Sequence, residues 1–114
     1  MNTYHSNGRP MWGLGTAYHS NGQMAWGLGT AYHSNGQMAY GLGTAYWPNG
    51  RVAWSLGTAY WDNGQLAYGL GTAYHENGQL MGPTTSIELQ LSEGIRLVCG
   101  SDGAALYVYG TKVV

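Results

Sequence analysis

The chain has 114 residues, 8% of them charged against a usual quarter or so, with a formal net charge of −1. That length suits one small domain, and so weak a field has nothing with which to hold nucleic acid or an anionic lipid surface. Five Trp and ten Tyr argue against disorder, and with no Phe beside them their polar handles suit half-wetted surfaces.

From Tyr4 the chain repeats every 14 residues: "YHSNGRPMWGLGTA", "YHSNGQMAWGLGTA", "YHSNGQMAYGLGTA", "YWPNGRVAWSLGTA", "YWDNGQLAYGLGTA" and the fragment "YHENGQLMG". No insertion breaks the phase as far as Leu80, so this is a repeat architecture. An Asn-Gly in every unit and the density of Gly exclude helix. Each unit is punctuated twice, by Asn-Gly and, half a period later, by "GLG" or the "SLG" of Ser55-Leu56-Gly57. Asn-Gly predicts a type I′ hairpin turn, whose central residues both need positive φ. The strands between turns would be about five residues long.

Two all-β folds fit this pattern. One is an antiparallel β-hairpin meander with a small C-terminal β cap. The other is a flat, two-sided parallel β-solenoid with one coil per unit. In the meander, counting Tyr4 as repeat position 1, the ring at position 9 pairs with Ala at 14, Thr at 13 with Gly at 10, and Tyr at 1 with position 8. Each large ring then lies beside a small neighbour. In the solenoid, strict alternation would bury Tyr, Met or Leu, Trp or Tyr, Leu and Thr on the inside. The Asn-Gly turns favour the meander, because a two-residue loop reverses the chain.

"GLGTAY-x-x-NGQ", followed by an aromatic residue and Gly, resembles the MORN repeat, and "YWPNGRV", "YWDNGQL" and "YHENGQL" resemble the short MORN variant of bacterial antitoxin-like proteins. The resemblance runs from Tyr4 to about Leu80. It implies antiparallel hairpins joined into an elongated sheet, serving as scaffold and interaction elements that are sometimes linked to membranes. The unit here is shorter than the usual repeat, whose second Gly-rich, charged half is missing. The solenoid therefore stays open.

Residues 1–81 read as tandem repeats and 82–114 as a separate β module that caps the array or drives oligomerisation. Gly82-Pro83 ends the pattern. Ile87, Leu89 and Leu91 alternate with Glu88 and Gln90 as in a half-buried strand. "SEG" is a turn, "IRLVC" a second strand, "GSDG" another turn and "AALYVYGTKVV" a third strand.

Little here points to chemistry. Asp62, Glu76, Glu88, Glu93 and Asp102 form no repeated pair, and the glycines precede no helix that could cradle a phosphate. We expect no enzyme, no catalytic residue and no cofactor. His5, His19, His33 and His75 share position 2, where Trp47 and Trp61 replace them in two units. In a solenoid His5, His19 and His33 would stack about 4.8 Å apart, close enough for zinc or copper; in a meander they would stand about 9.5 Å apart, too far. The exchange of His for Trp suggests a ring wanted for stacking, so no metal site is expected. Cys99 reads as a small core residue and cannot form an intramolecular disulfide.

Function is expected to lie in binding. The first expectation is a non-catalytic β-repeat scaffold, a protein-interaction or self-assembly module whose partner is a second copy of the chain or another protein. Its candidate surface is the rings Trp12, Trp26, Tyr40, Trp54 and Tyr68 with Trp47 and Trp61. The alternative is a multivalent carbohydrate-binding surface on the same rings. Ice binding through Thr16, Thr30, Thr44, Thr58 and Thr72 is a third thought, weakened by the Tyr and Gly around that row. Arg9, Arg51, Arg96 and Lys112 are too few for a membrane anchor. The N-terminus shows no apolar signal-peptide core, and one cysteine suits a reducing compartment, so the expected location is cytoplasmic.

Overall fold

The computed structural model describes residues 3–100 and 102–114. Twelve strands make one sheet in strict chain order: β1 (Thr3–Tyr4), β2 (Pro10–Gly13), β3 (Thr16–Tyr18), β4 (Met24–Gly27), β5 (Thr30–Tyr32), β6 (Met38–Gly41), β7 (Thr44–Tyr46), β8 (Val52–Ser55), β9 (Thr58–Tyr60), β10 (Leu66–Gly69), β11 (Thr72–Tyr74) and β12 (Leu80–Pro83). Neighbours pair antiparallel, so the repeats form a meander and the parallel solenoid is excluded. A second sheet holds β13 (Ser86–Ser92), β14 (Ile95–Gly100), β15 (Gly103–Val108) and β16 (Thr111–Lys112), also in chain order and antiparallel. The described residues include no helix, hence none long and apolar enough to cross a membrane.

The turn chemistry is the reverse of the expected one. The type I′ turn is made by Leu-Gly, not Asn-Gly. Leu14, Leu28, Leu42, Leu56 and Leu70 have φ of 50–54°, and the glycine after each is also positive, so both central residues are left-handed. Gly27↔Thr30 and Gly41↔Thr44 close these two-residue loops. At the other punctuation the Gly8 amide donates to the His5 carbonyl at 2.9 Å, and only Gly8 has positive φ. That is a type I turn followed by a left-handed glycine, a three-residue loop. Pro48 at its first central position fits the turn without strain.

The longer loop shifts the register. Trp26 pairs with Ala17 and Ala31, and Gly27 with Thr30, as expected; Tyr18 pairs with Met24 rather than Ala25. Ala25 is the extra residue of a β-bulge, and Ala39, Ala53 and Ala67 repeat the arrangement. All four are fully buried, so a methyl group is all the bulge can hold.

The C-terminal sheet lies across one face of the meander instead of closing its end. Leu89, Leu91, Ile95, Leu97, Cys99, Leu106 and Val108 join one core with the repeat alanines, Trp47, Trp54 and Tyr68. The two layers share a hydrophobic interior, as a stable domain requires. The second sheet's outer side carries Arg96, which meets Glu88 at 3.1 Å and lies 4.3 Å over the Tyr107 ring. The expected third strand of the module is two strands. It breaks at Tyr109-Gly110, with φ of 46° and 84°, the same turn that Leu-Gly makes in the repeats. Gly100 and Gly103 pair across the expected "GSDG" turn, whose Ser101 lies outside the described residues. The whole measures 43 × 25 × 25 Å.

Candidate interaction surface

The meander has a covered face, an open face and two rims of turns. The expected rings lie on the covered face. Trp12 Nε1 donates to the Val108 carbonyl at 3.1 Å, and the Tyr68 hydroxyl to Thr84 and Thr85 carbonyls at 3.3 and 3.4 Å. Trp47, Trp54 and Tyr68 are buried, while Trp12, Trp26, Tyr40 and Trp61 are half-buried against the same core. These seven rings make the joint between the chain's own two sheets. Trp47, Trp54 and Tyr68 are thereby closed off, while Trp12, Trp26, Tyr40 and Trp61 keep part of their surface.

Position 2 has a different logic from the stacking expected of it. His5 Nε2 meets the Tyr18 carbonyl at 2.7 Å, His19 that of Tyr32 at 2.6 Å and His33 that of Tyr46 at 2.7 Å. Trp47 Nε1 donates to Tyr60 and Trp61 Nε1 to Tyr74, at 2.8 and 2.9 Å. A carbonyl only accepts, so each histidine donates from Nε2–H. His and Trp are interchangeable because each carries a ring N–H that reaches the next repeat.

The Nδ1 atoms then serve the second sheet. His19 Nδ1 accepts from the Tyr109 hydroxyl at 2.7 Å, and His33 Nδ1 from the Ser92 hydroxyl at 2.5 Å. Both imidazoles are 1% exposed. Burial pushes the His33 pKa below its ordinary value, the Tyr46 carbonyl opposes that shift, and the neighbouring His19 ring adds to it. Tyr109 stands edge-on to His5 and His19, and burial, then the Glu93 carboxylate, raises its pKa. Among the described residues no group of three His, Cys, Asp or Glu side chains is placed to hold a metal ion.

Asn at position 4 works as a two-sided clasp. Its Oδ1 accepts from the amide two residues on, as Asn21 does from Gln23 at 3.0 Å. Its Nδ2 donates to the next loop, as Asn21 does to the Ser34 carbonyl at 3.0 Å and Asn49 to Asp62 at 2.9 Å. This, and not positive φ, is why Asn precedes Gly in every unit.

The open face carries Tyr from position 1, Met, Leu or Val from position 7, and Thr from position 13. Tyr18 pairs with Met24, Tyr32 with Met38 and Tyr60 with Leu66. Met24, Met38 and Leu66 are exposed, while the tyrosines and threonines are half-buried. Thr16 and Thr30 thus stand in a rank broken by Tyr and Met.

The feature that sequence reasoning missed is on the rim. Leu14, Leu28, Leu42, Leu56 and Leu70 are 98–104% exposed. They project from one edge at two-strand intervals of about 9.5 Å. A left-handed conformation costs an L-residue about 1–2 kcal/mol, and burial returns nothing to these five. The signal was present: Leu fills the first central position of a Gly-Leu-Gly turn, where Asn or Gly suits the backbone better.

No family model, no curated protein and no solved structure matches this chain.

Proposed function

We propose that the protein is a non-catalytic scaffold that binds other protein surfaces through its leucine rim and its tyrosine-methionine face. The supporting observation is the repeated, fully exposed leucine at a strained turn position. One exposed Leu needs no explanation; five in register, at a site where Leu weakens the fold, call for a reason outside the folded chain. The MORN-like reading of the repeats agrees with such a role. The low charge leaves apolar contact as the main attraction, and the first partner to test is a second copy of the chain. The carbohydrate reading loses part of its support because Trp47 and Trp54 are buried and Trp12, Trp26 and Trp61 are half-buried.

The test is sedimentation velocity over a concentration series, comparing the native chain with a variant carrying Leu28→Asn, Leu42→Asn and Leu56→Asn. Asn accepts the left-handed conformation, so the fold survives. Native mass rising above 12.2 kDa with concentration, and not doing so in the variant, supports self-assembly through the rim. A constant 12.2 kDa in both removes self-assembly from the proposal.

A further inference from the structure

The fourth repeat departs from its neighbours at three positions that meet in space. Position 6 is Arg51, where Gln37 and Gln65 stand in the flanking units. Position 7 is Val52, against Met38 and Leu66, and position 10 is Ser55, against Gly41 and Gly69. In the third unit Met38 lies over Gly41, its sulfur 2.9 Å from where a Cβ would stand. A serine there would make the methionine side chain shift. Val52 is a shorter cover than Met38 or Leu66, and Ser55 beside it is half-buried.

At these positions lies a shallow, open cavity of about 570 Å³ on the open face, lined by Gly50, Arg51, Val52, Ser55, Tyr60 and Gly64. The Arg51 guanidinium crosses to the next repeat, with Nη1 2.9 Å from the Cβ position of Gly64. Among the described residues Arg51 makes no ion pair, and no carboxylate lines the cavity. The charge therefore faces solvent with its forked donors free. Ser55 lies four residues along from Arg51, beyond the bulge at Ala53. Between them are the Val52 side chain and the Tyr60 ring.

We propose that this cavity binds a small organic monocarboxylate with an apolar body. The carboxylate takes Arg51 as its forked partner, and the apolar body lies against Val52 and Tyr60 and reaches toward Ser55. This site is separate from the leucine rim and does not depend on the role proposed for it.

The experiment titrates benzoate and hexanoate into the native chain, with benzamide as the uncharged control, and follows amide and tyrosine resonances. Binding with a dissociation constant of about 1 mM or tighter, centred on Val52, Ser55 and Tyr60, is expected for at least one acid. Arg51→Gln should weaken it at least tenfold. Val52→Met with Ser55→Gly should abolish it by refilling the cavity. All three changes restore residues that flanking repeats carry, so the variants keep the fold. Arg9→Gln, at the same position of the first repeat, should leave binding unchanged. The proposal is overturned if neither acid shifts these resonances, if benzamide binds as well as benzoate, or if the refilled variant binds undiminished.

Discussion

His33 and Tyr46 lie thirteen residues apart and meet at 2.7 Å, ring nitrogen to carbonyl, and the same bond joins Trp47 to Tyr60 at 2.8 Å. Each repeat is thereby fastened to the next by a side chain as well as by the sheet ladder. Asn at position 4 adds a second clasp, from Asn35 to the Pro48 carbonyl and from Asn49 to that of Asp62. Stability in such an array lies largely between units.

Removing the ring N–H should therefore cost more than removing an aromatic contact. Trp47→Phe keeps a ring but leaves the Tyr60 carbonyl without its donor, a loss of about 1–3 kcal/mol. Trp47→His keeps a donor and should recover part of that loss despite its smaller ring. Urea denaturation of the two variants decides it. Equal stability would mean that the bond contributes nothing.

The His33 imidazole makes stability depend on pH. Its folded pKa lies below the ordinary 6.5, so the unfolded chain binds more protons between the two values. Stability is then fully present above pH 6.5 or so and falls as pH drops toward the folded value. Melting temperatures measured from pH 7.5 to 5 should decline through that window. His33→Gln should flatten the decline while lowering the melting temperature at pH 7.5.

The rim leucines should be replaceable with a gain in stability. Leu42 has φ of 54° and is fully exposed. Leu42→Asn should stabilise the fold by about 0.5–1 kcal/mol, because Asn accepts this conformation more readily. Denaturant midpoints read the effect. A loss of stability would mean that Leu42 makes contacts within the chain.

Cys99 should be inert in the native state. It is buried between the sheets, and desolvation pushes its pKa up to about 12. Reaction with a disulfide reagent at pH 8 should be negligible until denaturant opens the two layers, since the thiolate is the reacting species. Rapid labelling without denaturant would show that the second sheet detaches readily.

Much of the fold was legible from period and pairing. Fourteen-residue phasing, the pairing of Trp26 with Ala31 and of Gly27 with Thr30, and the strand from Ser86 all follow from residue type. The bulge at Ala25 was not legible, because it arises from a three-residue loop where a two-residue one was expected. The break at Tyr109 was marked by "YGT", which repeats the "LGT" of the array, but Tyr in place of Leu concealed the likeness. At the candidate site, the rings of positions 2 and 9 were found but their burial was not. The exposed leucines went unread because an apolar residue between glycines resembles core.

What the sequence determined alone is the local plan: where the repeats turn and, across the Leu-Gly turns, which side chains lie beside one another. Those depend on contacts within a few residues or within one repeat. Only tertiary structure decided which face is covered and which is free. The C-terminal sheet packs over Trp54, Tyr68, His19 and His33, and leaves Tyr32, Met38 and the leucine rim to solvent. Both faces of the meander are apolar enough to bury. The choice rests on long-range partners, Val108 for Trp12, Tyr109 for His19 and Ser92 for His33, that no periodicity encodes.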